Sequence, residues 1–197
     1  MISEGRRVIL GGFVGSKQKL ISVIIAIKDE ERFIGECLQS LIDQSFPKKH
    51  YQLVIVDGGS TDRTIKIVKK YMKKYPKFIK FYHNPKQWQA SGRNIGIRNV
   101  KSEFIAYIDG HCKATKDWLE TLYKSMKETN DSLVAGVGSI HISPKDDSLL
   151  GKAIGYVFDS ELGGLGSSFR TIKKKMLVHS SNNAKACGWV LTLATRR

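Results

Sequence analysis

The chain has 197 residues, 41% hydrophobic and 26% charged, which is enough apolar content for a sizeable core and too much for a disordered polymer. Lys and Arg number 33 against 18 Asp and Glu, and the formal net charge of +15 favours anionic partners: nucleotides, phosphorylated carriers, acidic lipid headgroups or nucleic acid. Three widely spaced cysteines, Cys37, Cys112 and Cys187, without a C-x-x-C pair, argue against a disulfide framework or a structural zinc site and suit a reducing compartment.

No apolar run approaches the length of a membrane span. Residues 1–19 read as a flexible lead-in. The patch Val8 to Val14 after Arg6 and Arg7 is short, broken by glycine and without a cleavage signature, so it does not read as a signal peptide. Gly11, Gly12 and Gly15 precede the first strand instead of following one, which excludes a phosphate-binding loop.

Ile21 to Ile27 is a β-branched run, expected to be a strand buried on both faces, and Lys28-Asp29-Glu30-Glu31 stands at its end. A helix is predicted from about Arg32 to Asp43, with Phe33, Ile34, Cys37, Leu38, Leu41 and Ile42 at helical spacing, and Ser45-Phe46-Pro47 stops it. Leu53 to Val56 is the second strand, followed by the turn Asp57-Gly58-Gly59-Ser60-Thr61-Asp62. Ser60 or Thr61 is expected to cap the next helix, whose Lys66, Lys69, Lys70, Lys73 and Lys74 read as a solvated face. Phe78 to Tyr82 is a short third strand, and Asn84-Pro85 turns the chain into a helix from about Gln89 to Asn99.

Phe104 to Ile108 is the next strand, ending abruptly in Asp109-Gly110-His111. On a continuing extended chain Asp109 and His111 point the same way, and a carboxylate with an imidazole on one side of a loop can hold a divalent metal. The plainer alternative is a strand-to-helix turn in which Asp109 accepts from local amides. An amphipathic helix from Asp117 to Lys127 and a strand from Leu133 to Ile140 complete the order β-α-β-α-β-α-β-α-β, which implies a parallel α/β sheet with right-handed crossovers. Ser148 to Val157 reads as a helix, Gly163 to Ser168 as a loop, and Thr171 to Arg197 shows no clear period.

The acidic residues near Glu30, Asp57 and Asp109 all fall at C-terminal strand ends, which share one edge in a doubly wound sheet and can line one crevice. Four segments in order, Val23 to Glu31, Val56 to Thr64, Gly92-Arg93-Asn94-Ile95-Gly96 and Tyr107 to His111, make residues 21 to 140 resemble the family 2 nucleotide-sugar glycosyltransferases. The resemblance implies a GT-A fold, Rossmann-like with a mostly parallel sheet flanked by helices, that binds a nucleoside-diphosphate sugar and moves the sugar to a saccharide or polyprenyl-linked acceptor with inversion.

Residue by residue, the resemblance implies that Ala26, Lys28, Glu30, Asp57, Arg93, Asn94 and Asp109 line the donor site. Asp57 would accept a hydrogen bond from the base, Glu30 would sit beside the nucleoside, Arg93 would lie near the nucleotide, and Asp109 would be the first acid of the family's Asp-x-Asp motif. His111 replaces the second acid, so Asp109 and His111 become the implied metal ligands, with Mn2+ preferred over Mg2+ because imidazole binds manganese better. Ala26 and Gly58 stand where a proline and a second aspartate are common. An Asp-x-His motif, with Ser168-Phe169-Arg170, resembles the succinoglycan-type exopolysaccharide glucosyltransferase branch.

These resemblances divide the chain into the lead-in 1–19, a nucleotide-sugar-binding domain 20–160 and an incomplete acceptor-side segment 161–197. The last acidic residue is Glu161, and the family's later motifs are absent, so no catalytic base is assigned and a C-terminally truncated enzyme is expected. Cytoplasmic placement, peripheral at the inner face of the plasma membrane, follows as an expectation from the Lys-rich surface and the lipid-linked acceptor. A nicotinamide oxidoreductase would need a Gly-rich turn where Lys28-Asp29-Glu30-Glu31 stands. A nucleic-acid module is disfavoured because the basic residues lack aromatic interleaving or a reading motif. A nucleotide-binding fragment without turnover and a membrane-surface module are the remaining alternatives.

Overall fold

The computed structural model describes residues 19–129, 134–139, 148–159, 176–179 and 190–193. The expected lead-in before Lys19, the Gly163 to Ser168 loop and most of the 161–197 segment lie outside these residues. The described elements are β1 (Ile21–Ile27), α1 (Ile34–Ile42), β2 (Tyr51–Asp57), α2 (Thr64–Lys74), β3 (Ile79–His83), α3 (Gln89–Arg98), β4 (Phe104–Tyr107), α4 (Trp118–Glu128), β5 (Val134–Gly138), α5 (Leu149–Asp159), β6 (Met176–His179) and β7 (Val190–Leu193). They form a seven-stranded sheet in the order β3-β2-β1-β4-β7-β5-β6.

The first four strands are parallel, as the alternation of strands and helices requires. Two expectations are corrected beyond them. The strand at Val134 runs in the same sense as β4 but does not pair with it, because β7 lies between them antiparallel to both, and β6 is antiparallel to β5. The region after Thr171, without a period in sequence, supplies β6 and β7. Four residues each are too few to show a repeat, and their partners are distant in sequence.

The period of two along each central strand sorts the core into two layers. Ile21, Val23, Ile25 and Ile27 of β1, Tyr51, Leu53 and Ile55 of β2, and Phe104 and Ala106 of β4 pack with α1, α2 and α4. Ile24, Val54, Val56 and Ile105 face the other way, beneath α3 and its Ile95. The third crossover runs opposite in direction to the first two, so a right-handed connection puts its helix on the opposite face. Strand order therefore reverses between β1 and β4, and their loops diverge to leave a crevice at their carboxyl ends.

Helix α3 lies close on β1 because two of its inward residues are glycines. A Cβ on Gly96 would come within 2.6 Å of Ile24 Cγ2, and one on Gly92 within 3.1 Å of the Ala26 Cβ. At the opposite, N-terminal edge, buried Ser22 Oγ contacts Ser102 Oγ at 2.6 Å and accepts from Gln52 Nε2 at 2.8 Å. This network ties β1 and β2 to the entry of β4 and gives both buried hydroxyls a partner.

Candidate functional site

The site is built from the loops after β1, β2, β3 and β4. The first two are laced together. Asp29, in the left-handed region at φ 53, accepts from Thr61 N at 2.7 Å, and its own amide donates to Ser60 Oγ at 2.9 Å. Glu30 N donates to Thr64 Oγ1 at 2.7 Å and Glu31 N to Asp62 Oδ2 at 3.0 Å. Glu31 also takes both Arg63 N and Nε, which holds its carboxyl below the usual range. Asp29 and Glu31 are thus committed to loop structure. The expected caps are corrected here as well: Ser60 and Thr61 serve this lacing, and Asp62 Oδ1 accepts from Thr64 N at 2.9 Å at the start of α2.

Asp57 ends β2 only 1% exposed, its Oδ2 accepting from Gly59 N at 2.9 Å and from Ser60 N at 3.1 Å, while Oδ1 accepts from the Ser60 hydroxyl. Gly59 takes φ 81, a conformation that glycine adopts without a steric penalty. Asp57 thus stands at the expected edge but behind its own turn, instead of open to the crevice.

The loops that carry Glu30 and Asp109 meet across the β1/β4 switch, through Gly110 and His111. After β4 the chain turns at Gly110 and His111, with Cys112 N donating to Asp109 O at 3.1 Å, so Asp109 and His111 are not brought together by strand alternation as expected. The turn converges them all the same: ligand atoms of Asp109, His111 and Cys112 lie within 4.8 Å of one another. Gly110 permits this, because a Cβ there would come within 2.8 Å of Ile27 Cγ2 and 3.2 Å of Glu30 Cγ. His111 Nδ1 lies 2.9 Å from Glu30 Oε1. With that nitrogen engaged by a carboxylate, Nε2 is the ring nitrogen left for a metal, an orientation that histidine ligands of metals commonly have.

Asp109 Oδ1 accepts from Gln89 Nε2 at 2.8 Å and from Arg93 Nη2 at 3.1 Å. Gln89 and Arg93 are four residues apart on α3 and share a helix face. The Arg93 guanidinium also lies 5.6 Å from the Tyr107 ring centroid, so its plane is held on two sides. Of the other expected site residues, exposed Lys28 donates from Nζ to Gln87 Oε1 at 2.8 Å, Asn94 is exposed on α3, and Ala26 lies beneath Gly92.

Sequence reasoning missed Gln89, Asn84 and Cys112. Gln89 carried a signal, its i,i+4 spacing to Arg93. Asn84 is buried and donates from Nδ2 to Trp88 O at 2.9 Å, while its amide donates to Asp57 O at 2.7 Å, pairings that no local pattern announces. Burial, and then the charges of Asp109 and Glu30, push the Cys112 thiol up to about 12. It is therefore a protonated neighbour of the Asp109–His111 pair and becomes a ligand only by losing that proton.

The chain matches the model of glycosyl transferase family 2 over residues 22–181. A dolichyl N-acetyl-alpha-D-glucosaminyl phosphate 3-beta-D-2,3-diacetamido-2,3-dideoxy-beta-D-glucuronosyltransferase of Methanococcus voltae is 34% identical over 153 residues, 76% of this chain and 47% of the relative. A structure of S. aureus TarS residues 1–349 with UDP superposes with a TM-score of 0.56 and 26% identity over 66% of this chain and 37% of that one. The mannosyltransferase PcManGT from Pyrobaculum calidifontis, solved with GDP-Man and Mn2+, shares the fold with a TM-score of 0.55 and 23% identity over 66% of this chain and 37% of that one. The chain thus spans about half the length of the Methanococcus relative and less of the two solved structures.

Proposed function

Because the chain belongs to glycosyltransferase family 2 and folds as its GT-A members do, we propose that its β1/β4 crevice binds a nucleoside-diphosphate sugar as the donor half of an inverting sugar transfer. The observation that carries this is the meeting of three loops at one sheet edge: the Asp57 turn, the Glu30–His111 pair, and Asp109 held by Gln89 and Arg93. TarS structures hold UDP and UDP-GlcNAc, which supports a uridine-type donor here.

Asp57 and its turn form the base end, where a base N–H takes the place of the Ser60 hydroxyl on Oδ1. Ala26, Lys28 and Asn94 border the same donor. Asp109 and His111 hold a divalent metal, and the donor set fits one, with a carboxylate oxygen and an oriented imidazole nitrogen side by side. Mn2+ suits the nitrogen ligand better than Mg2+. Such an ion, when bound, neutralises the diphosphate that leaves. Arg93, paired with Asp109 here, supplies a guanidinium that turns to the phosphates.

The acceptor is a saccharide or polyprenyl-linked sugar. The dolichyl-linked acceptor in the name of the Methanococcus relative supports the lipid-linked form. The Asp-x-His motif supports the succinoglycan-type exopolysaccharide glucosyltransferase branch. The surplus of basic residues supports a place on the anionic inner face of the plasma membrane.

The test is calorimetry and thermal shift with UDP-glucose, UDP-GlcNAc and GDP-mannose, each with Mn2+ or EDTA. A UDP-sugar with Mn2+ at about 100 times its Kd adds about 2.7 kcal/mol of stability. Asp57→Ala weakens that donor about tenfold or more, as expected for a lost hydrogen bond to a charged group. A panel in which no nucleoside diphosphate moves the melting curve, with or without metal, sinks the proposal.

A further inference from the structure

Trp88 has a large exposed apolar face on a firmly held backbone. The residue is 76% exposed, whereas Trp118 is 4% exposed and packed in the core. Its carbonyl accepts three hydrogen bonds, from Asn84 Nδ2 at 2.9 Å, Ser91 Oγ at 2.8 Å and Gly92 N at 3.0 Å, and its amide donates to Lys86 O at 2.8 Å. A rigidly mounted indole with most of its surface in water presents a flat apolar face that a planar ligand can cover.

Its neighbours place it on the crevice rim. Gln87 on one side takes φ 62, receives Lys28 Nζ, and sets its carbonyl where a Cβ on Gly58 would be 3.1 Å away. Gln89 on the other side reaches Asp109 Oδ1 at 2.8 Å. Trp88 therefore stands between the Asp57 turn and the Asp109 carboxylate. Phe33 in the loop after β1 and Tyr107 at the end of β4 already have Arg32 and Arg93 lying over their rings, at 5.4 and 5.6 Å from the centroids.

We propose that the Trp88 indole is the platform on which the donor's nucleobase stacks. This rests on the donor-binding reading above and adds to it the residue that grips the flat face of the base. The polar groups of the Asp57 turn address the edge of a base and leave its faces without an apolar partner. An indole satisfies a face, and because every base has one, stacking sets affinity without choosing among bases. Selection by base then falls to the Asp57 turn.

The experiment uses the full chain and its Trp88→Ala, Trp88→Leu and Trp88→Phe variants, with UDP, UMP and inorganic pyrophosphate titrated in the presence of Mn2+. Trp88→Ala and Trp88→Leu are expected to raise the Kd of UDP and UMP about tenfold to a hundredfold and to leave pyrophosphate unchanged. Trp88→Phe stays within about threefold of the parent, because it retains an aromatic face. UDP also quenches part of the parent's tryptophan fluorescence, and that part is missing in Trp88→Phe, which still binds. Unchanged UDP affinity in Trp88→Ala overturns the proposal, as does an equal loss of pyrophosphate, which would mean a collapsed loop. A variant with intact UDP binding but weakened binding of a saccharide acceptor assigns the indole to the acceptor and overturns it too. Should the parent bind no nucleoside diphosphate, the donor reading fails and takes this inference with it; should the parent bind and Trp88→Ala bind equally, the inference alone fails.

Discussion

Glu30 illustrates how one contact gives a residue a second reading. Its carboxylate meets His111 Nδ1 at 2.9 Å and so orients the imidazole that faces Asp109. At the proposed metal site it would act through that ring, as a positioning residue. Partners of this kind typically contribute about 10–100-fold to metal affinity. Glu30→Ala should weaken Mn2+ binding by that factor, read by the free-Mn2+ signal in electron paramagnetic resonance. Glu30→Gln, which keeps an acceptor oxygen, should recover most of it. Parent-like Mn2+ affinity in Glu30→Ala would return Glu30 to a direct role beside the nucleoside.

Helix α3 is the element on which the site turns, because it carries both Gln89 and Arg93 to Asp109. Its height above β1 is set by Gly92 and Gly96. A Cβ on Gly96 would meet the buried Ile24 side chain at 2.6 Å, so Gly96→Ala lifts the helix and costs about 1–3 kcal/mol of overpacking. That exceeds the roughly 1 kcal/mol alanine gains over glycine as a helix former. In α1, a Cβ on Gly35 finds its nearest neighbour at 3.9 Å, so Gly35→Ala should stabilise by roughly 0.5–1 kcal/mol. Thermal melts of the pair should therefore move in opposite directions, and donor affinity should fall only in Gly96→Ala. Melts that move together would show that α3 sits on β1 with room to spare.

Across the whole molecule, the two ends of the sheet do different work. Ser22, Gln52 and Ser102 close the N-terminal edge, far from the crevice. Ser22→Ala strands two buried polar groups and should cost about 1–3 kcal/mol in denaturant unfolding while leaving the UDP Kd unchanged. A changed Kd would mean that strain passes along the strands to the site. The net charge of +15 acts over the whole surface. Sedimentation with phosphatidylglycerol vesicles should be strong at low salt and largely lost near 1 M, where the screening length is about 3 Å. Binding that survives high salt would point to apolar insertion in place of charge.

Much of this protein is written locally. The β-branched runs of β1 and β2, the helical spacing of α1 and α4, and acidic residues at three strand ends define a parallel α/β sheet with one chemically loaded edge, because side-chain periodicity and βα turns are short-range properties. Pairings between distant loops are not. Asp29 and Glu31 look the same as Glu30 in sequence, yet the Asp57–Arg63 segment claims the first two and leaves Glu30 for His111. Asp57 reads as an open acceptor, and its own turn closes over it. The antiparallel insertion of β7 between β4 and β5 depends on partners far away along the chain, at separations over which no periodicity carries information.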